Sequence, residues 1–258
     1  MGHGKLRKFA EMADNPLVVE CPMAYAQQEM PALRGRWRED FFHTAERTRP
    51  LCLELGCGRG EYTVGLARMH EDRLYVGVDI KGARMWSGAK EALETGMGNV
   101  GFLRTNIEWT DRFFGEDEVD ELWLTFSDPQ MKKATKRLTS TYFMERYRHF
   151  LKDGGMVHLK TDSNFLFTYT EEMLRANGIV PTVTTRDLYG EDEREETHEA
   201  RALQTYYEGM WRERGIAIKY LAFHLRHGEA LHEPEVEIPM DEYRSYAREK
   251  RSPRETAR

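Results

Sequence analysis

The sequence predicts an α/β protein with a doubly wound, Rossmann-like fold, a mostly parallel seven-stranded sheet with a C-terminal antiparallel strand. Three observations predict it. Short apolar runs alternate with amphipathic stretches of helical length through the middle of the 258-residue chain, the pattern of buried parallel strands joined by right-handed helical crossovers. A glycine-rich turn, Gly56-Cys57-Gly58-Arg59-Gly60, directly follows one such run. An acid, Asp79, ends the next, nineteen residues after Gly60.

Residues 1–49 read as an N-terminal extension broken by Pro16, Pro22 and Pro31, with a charged helical pattern from Arg34 to Arg47. A domain spanning 50–230 follows, and 231–258 read as a loose charged tail. Within the domain, Leu51–Leu55 is a strand running into the glycine turn, and Glu61–Met69 a helix. Leu74–Ile80 is the second strand, Ala83–Leu93 the second helix, Val100–Leu103 the third strand and Val119–Phe126 the fourth. Ser140–Leu151 reads as a helix stopped by Asp153-Gly154-Gly155. Met156–Lys160 is the fifth strand, and Phe165–Ala176 a helix. Two β-rich segments, Ile179–Thr185 and Ile216–Leu225, flank a charged insert and are suited to an antiparallel pair that closes the sheet.

Composition excludes several classes. No apolar run approaches the ~18 residues of a membrane span. No secretory leader is expected from the basic start MGHGKLRKFA, which no apolar stretch follows, and Leu6 breaks the N-myristoylation pattern that Gly2 would begin. The three cysteines, Cys21, Cys52 and Cys57, form neither a disulfide framework nor a zinc-ligand spacing, so no metal is expected and a reducing cytoplasm suits the chain. The net charge is −6, but the charge is uneven. Residues 130–152 carry Lys132, Lys133, Lys136, Arg137, Arg146, Arg148 and Lys152 against Glu145, while 191–199 carry six acids and Arg194. A basic surface therefore coexists with an acidic total.

The glycine turn is spaced GxGxG, not the GxGxxG of dinucleotide sites, and Glu54 precedes it. A carboxylate there repels pyrophosphate and suits a cationic ligand with a ribose for Asp79; S-adenosylmethionine is such a ligand. Thr125-Phe126-Ser127-Asp128-Pro129-Gln130-Met131-Lys132 follows the fourth strand. It puts Asp128 on the same rim, with lysines trailing away, an arrangement suited to a polyanionic substrate whose base enters the pocket. Taken alone, Asp128 reads equally well as a solvated strand-end acid. Asp162 alone reads as a helix cap, and Thr205-Tyr206-Tyr207-Glu208 as the start of an amphipathic helix.

Taken together and in order, LELGCGRG, Asp79, FSDPQMK, Thr161-Asp162 and TYYE resemble the bacterial tRNA (guanine-N7-)-methyltransferase family over roughly residues 50–225. The resemblance implies an S-adenosylmethionine-dependent methyltransferase form of the fold. It implies methyl transfer to N7 of a guanosine in tRNA, in the variable loop, by a cytoplasmic monomer or homodimer. By position it makes Glu54, Gly56, Gly58, Asp79, Asn106 and Asp128 cofactor contacts, and Asp128 also the catalytic acid. Lys132, Asp162, Thr205, Tyr206, Tyr207 and Glu208 become substrate contacts. The chain departs from the family pattern at Asn106 (usually Asp), Ser127 (usually Pro), Gln130 (usually Trp) and Tyr207 (usually Phe). Two other readings share the glycine turn: a small-molecule methyltransferase, and a non-catalytic cofactor-binding partner of RNA. Steep salt dependence of substrate binding separates RNA from a small molecule, and absence of turnover separates the last.

Overall fold

The computed structural model describes residues 3–21 and 32–242, with only the backbone of His3 and Lys5. The proposed breaks at Pro22 and Pro31 and the tail beyond residue 242 lie outside the described residues. In chain order the elements are α1 (His3–Ala13), β1 (Val18–Glu20), β2 (Leu51–Leu55), α2 (Glu61–Met69), β3 (Leu74–Asp79), α3 (Gly82–Glu94), β4 (Val100–Arg104), α4 (Thr110–Phe113) and β5 (Val119–Thr125). There follow α5 (Thr141–Tyr147), β6 (Leu151–Thr161), α6 (Asn164–Ala176), β7 (Val183–Thr185), α7 (His198–Ala202), α8 (Tyr206–Glu213) and β8 (Lys219–Leu225).

The strands form one eight-stranded sheet in the order β1-β4-β3-β2-β5-β6-β8-β7. Every neighbouring pair is parallel except those made by β8, which runs antiparallel to both β6 and β7. The closing antiparallel pair is therefore present. The sheet has one strand more than the seven expected, because Val18–Glu20 adds beside β4 as an edge. Three residues are too few to announce a strand by periodicity.

Both faces of the sheet are covered, as the apolar runs require. Leu51, Leu53 and Leu55 of β2 face a core shared with Phe143, Met144 and Tyr147 of α5 and with Leu166, Phe167 and Met173 of α6. Cys52 faces the other core, made with Tyr62, Val64 and Leu66 of α2 and Met85 and Ala89 of α3. Glu54 alternates with the leucines and so lies on the α2 face. Chain order reverses across β2: β3 and β4 lie to one side, β5 and β6 to the other. In doubly wound sheets the ligand crevice lies at the strand C-termini of this switch point.

Three expectations need correction. The charged stretch 34–47 is not a long helix; only a π-helical turn, Trp37–Phe41, forms. Its charged residues are used as staples. Arg38 donates to the Arg49 and Glu118 carbonyls at 2.8 Å each and to Asp120 at 2.7 Å, while Glu118 accepts from the Gly35 and Trp37 amides. The helix expected over 140–151 ends at Tyr147, and the chain enters β6 at Leu151, passing Asp153-Gly154-Gly155 as a register irregularity rather than a stop. Residues 231–242 are docked, not loose. Glu233 accepts from Thr141 and from the Tyr169 hydroxyl, and Asp241 is buried against the start of α6.

Candidate active site

A cavity of about 610 Å³ opens at the C-terminal ends of β2, β3 and β5. The glycine turn forms one wall. Gly56, Gly58 and Gly60 have φ of 84°, 54° and 76°, the left-handed region that favours glycine. The turn is seated on α3: a Cβ on Gly88 would stand 2.7 Å from the Arg59 carbonyl and 3.0 Å from the Gly60 Cα. The Gly88 amide donates to that same carbonyl at 2.8 Å. A Cβ on Gly56 would project toward Ile107 and Leu138, at 3.8 and 3.9 Å, and fill part of the cradle between the turn and the apolar wall.

Asp79, at the end of β3, holds the turn in shape. One carboxylate oxygen accepts from the Gly58 amide at 3.0 Å and the other from the Lys81 amide at 2.8 Å. Glu54 is buried and fully engaged. It accepts from the Thr63 amide at 2.9 Å and from the Thr63 and Thr125 hydroxyls at 2.5 Å each. Burial pushes its carboxyl up to about 7, opposed by these hydrogen bonds. Asn106 begins a single 3-10 turn, its side chain accepting from the Glu108 amide at 3.2 Å.

The loop after β5 supplies the opposite rim. Phe126 and Gln130 take left-handed φ values of 49° and 45°, unusual for residues with a side chain. The loop is pinned at both ends: the Phe126 amide donates to the Lys160 carbonyl at 2.8 Å, and Arg137 donates to the carbonyls of Gln130 at 3.2 Å and Met131 at 3.0 Å. Asp128 is exposed and accepts from the Gln130 amide at 3.0 Å, an Asx turn that aims the carboxylate. The hydroxyl of Ser127 is buried with no hydrogen-bond partner among the described residues.

Of the expected site residues, Glu54, Gly56, Gly58, Asp79, Asn106, Asp128, Asp162, Thr205 and Tyr207 all line this one cavity. Lys132 lies outside it and is exposed, as is Tyr206, whose ring sits 4.6 Å from the Arg59 guanidinium. Glu208 does not reach the cavity. It is fully buried and ion-paired with the fully buried Lys160 at 2.7 Å. It also accepts from the Tyr189 hydroxyl at 2.6 Å and closes a capping box with Thr205 at the start of α8. Burial lowers the Lys160 ammonium to about 8, against the pull of Glu208. The basic run is similarly divided. Arg137 is buried under Phe165 and Tyr169, and Lys136 pairs with Glu108 at 2.5 Å. Lys132 and Lys133 are exposed and make no ion pair among the described residues. Arg7 pairs with Glu11 at 3.3 Å and Lys8 lies over Trp86; neither lines the cavity.

The sequence reading missed the cations on the cavity mouth, Arg59, Lys81 and Arg84, and the cavity wall made by Ser127 and Trp211. Arg59 was open to recognition as the variable position of the glycine turn. None of the acids of 191–199 lines this cavity; Glu193, Glu195, Glu196 and Glu199 border a separate groove with His70, Arg73 and His158. No helix among the described residues is long and apolar enough to cross a membrane.

A strand-end acid, an apolar wall and a glycine turn in the left-handed region fit a nucleoside carrying a short charged arm. Comparison with known proteins agrees. The family model described as "Putative methyltransferase" matches residues 48–221. A tRNA (guanine-N(7)-)-methyltransferase of Bacteroides fragilis is 55% identical over 258 residues, covering 100% of each chain. One of Porphyromonas gingivalis is 52% identical over 240 residues, 92% of this chain and 96% of that one. Among solved structures, the 16S rRNA methyltransferase KamB superposes with a TM-score of 0.52 at 16% identity, covering 70% of this chain and 91% of that chain, a likeness of fold. The eight-stranded sheet, the switch-point cavity and full-length relatives at half identity or better lead to one conclusion: this chain belongs to the tRNA (guanine-N7-)-methyltransferase family and uses S-adenosylmethionine as its cofactor.

Proposed function

We propose that this protein methylates N7 of a guanosine in the variable loop of tRNA, with Asp128 as the residue that meets the guanine. The observation that carries the reading is the placement of Asp128 on the rim of the cavity that the glycine turn and Asp79 also line, with Lys132 and Lys133, exposed and without an ion pair among the described residues, outside it. S-adenosylmethionine supplies an electrophilic methyl group on a sulfonium. Guanine N7 carries a lone pair and no proton, so no base is needed. The N7–carbon bond forms as the sulfur–carbon bond breaks, the electron pair stays on sulfur, and the positive charge passes to the purine. The protein must align N7 in line with that bond and exclude water. An Asp128 carboxylate close to the ring stabilises the charge that develops there and accepts hydrogen bonds from the guanine N1 and N2 groups. Lys132 and Lys133 hold phosphates, which position the RNA without reading its sequence.

The test is methyl transfer from labelled cofactor to unmodified bulk tRNA, followed by mapping of the modified base. Label at N7 of a variable-loop guanosine supports the reading. Label on another base discards Asp128's partner, and no transfer to RNA discards the substrate class. Asp128→Ala is expected to lower kcat about 100- to 1,000-fold with cofactor affinity within about twofold of wild type. A collapse of cofactor binding instead makes Asp128 a cofactor ligand.

A further inference from the structure

We infer that Ser127 is a substrate-reading residue, whose hydroxyl donates to O6 of the guanine that Asp128 engages. The inference rests on the reading of the substrate given above. Ser127 is 9% exposed, its hydroxyl has no hydrogen-bond partner among the described residues, and it lines the cavity beside Asp128. A buried hydroxyl without a partner is costly in the free protein and marks a place where a ligand completes the bond. Nearby polar groups are already committed: the Thr125 hydroxyl to Glu54, the Asp79 oxygens to the Gly58 and Lys81 amides. The Ser127 hydroxyl, unlike that of Thr125, is unspent among the described residues.

The backbone leaves Ser127 little freedom to find another partner. Phe126 is held in the left-handed region at φ 49° and tied to the Lys160 carbonyl at 2.8 Å, and the Asx turn of Asp128 follows immediately. A left-handed phenylalanine costs about 1–2 kcal/mol, so the loop is shaped by its surroundings. Preorganised donors of this kind are the ones that discriminate.

The chemistry of guanine places the bond. O6 is the only acceptor that lies between N7, where the methyl group arrives, and N1–H, which a carboxylate accepts. With Asp128 on the N1 and N2 edge, Ser127, the residue just before it in the loop, is the one placed to meet O6. The pair then reads donor–donor–acceptor, a pattern adenine lacks because it presents an amino group at the same position. Proline at 127 has no donor to offer, so this reading belongs to a chain with serine there.

The experiment uses full-length wild type, Ser127→Ala and Ser127→Pro, with single-turnover methylation of tRNA bearing either guanine or 2-aminopurine, which lacks O6 and the N1 proton but keeps N7 and the 2-amino group, at the target position. On guanine tRNA, Ser127→Ala is expected to lower the rate about tenfold, with cofactor affinity unchanged and the thermal midpoint equal or higher. On 2-aminopurine tRNA, wild type and Ser127→Ala should react equally slowly. Ser127→Pro should resemble Ser127→Ala. A Ser127→Ala rate within twofold of wild type on guanine overturns the inference, as does a tenfold deficit that persists on 2-aminopurine or a loss of cofactor affinity. Wild type that fails to methylate guanine tRNA at all refutes the proposed function itself, and is distinguished by needing no variant.

Discussion

Replacing Glu208 by alanine tests whether this residue serves the substrate or the scaffold. Its carboxylate lies 2.7 Å from the Lys160 ammonium, and both side chains are completely shielded from solvent. Removing one partner of a buried pair leaves an uncompensated charge, at a cost of about 3–5 kcal/mol. The carbonyls of Ala200 and Leu203 still accept from Lys160, at 2.6 and 2.8 Å, which places the loss near the lower end. With a urea dependence of about 3 kcal/mol per molar, 3 kcal/mol lowers the unfolding midpoint by about 1 M. The assay is a urea titration followed by tryptophan fluorescence, run beside the double variant Lys160→Met with Glu208→Leu. The double variant should recover most of the lost stability, since an apolar pair can replace a buried ionic one. An unchanged midpoint for Glu208→Ala, together with a raised KM for tRNA, would refute the argument and make Glu208 a substrate ligand.

Three further outcomes follow from the site. A glutamate ionises near 4.3 in an unfolded chain and Glu54 near 7 in the fold. The folded state thus binds the proton more tightly; this contribution is complete below pH ~4 and is lost as pH rises through 7. Wild-type stability should carry a falling slope of up to about 4 kcal/mol between pH 4 and 8, and Glu54→Gln should remove it in chemical denaturation at stepped pH. Gly88→Ala places a methyl 2.7 Å from the Arg59 carbonyl, so the glycine turn must shift. Calorimetry should find cofactor affinity about tenfold weaker, and a value within twofold of wild type would count against the seating of the turn on α3. Lys132→Ala and Lys133→Ala should each reduce the salt slope of tRNA binding by about one, measured by filter binding at several salt concentrations. Lys136→Ala should change it less, because Glu108 already neutralises that ammonium.

The parts of the site legible in the sequence are those that a short stretch of chain specifies by itself. Leu51–Leu55 running into three glycines fixes a strand, a turn and a helix start without reference to anything distant, and Asp79 follows from the same βαβ unit. The helices and strands expected between residues 51 and 125 fall within a residue or so of the observed ones for that reason, while the short α4 was not anticipated. What was hidden depends on partners far along the chain. Glu208 reads as an exposed helix-start acid until Lys160, 48 positions away, is brought beside it. Arg137 looks like one more phosphate-binding cation until Phe165 and Tyr169 close over it. Arg38 and Glu118 form their staple across 80 residues, and so a pattern that promised a helix became a strap. Burial also inverts the sense of Glu54: the acid was expected to offer free charge to a ligand, but two threonines occupy its oxygens.

The docking of Asp241 sets where this chain can be shortened. Its carboxylate accepts from the Ser163 hydroxyl and from the Phe165 amide at 3.0 Å, and its own amide meets the Met131 sulfur at 3.2 Å. A residue near the end of the sequence thus acts as a surrogate cap for α6 and as a doorstop for the loop that carries Ser127 and Asp128. A stop codon after residue 242 spares that contact, whereas one before 241 withdraws it. Two otherwise similar truncations should therefore differ sharply in catalytic competence. Affinity handles appended at this end belong beyond the doorstop.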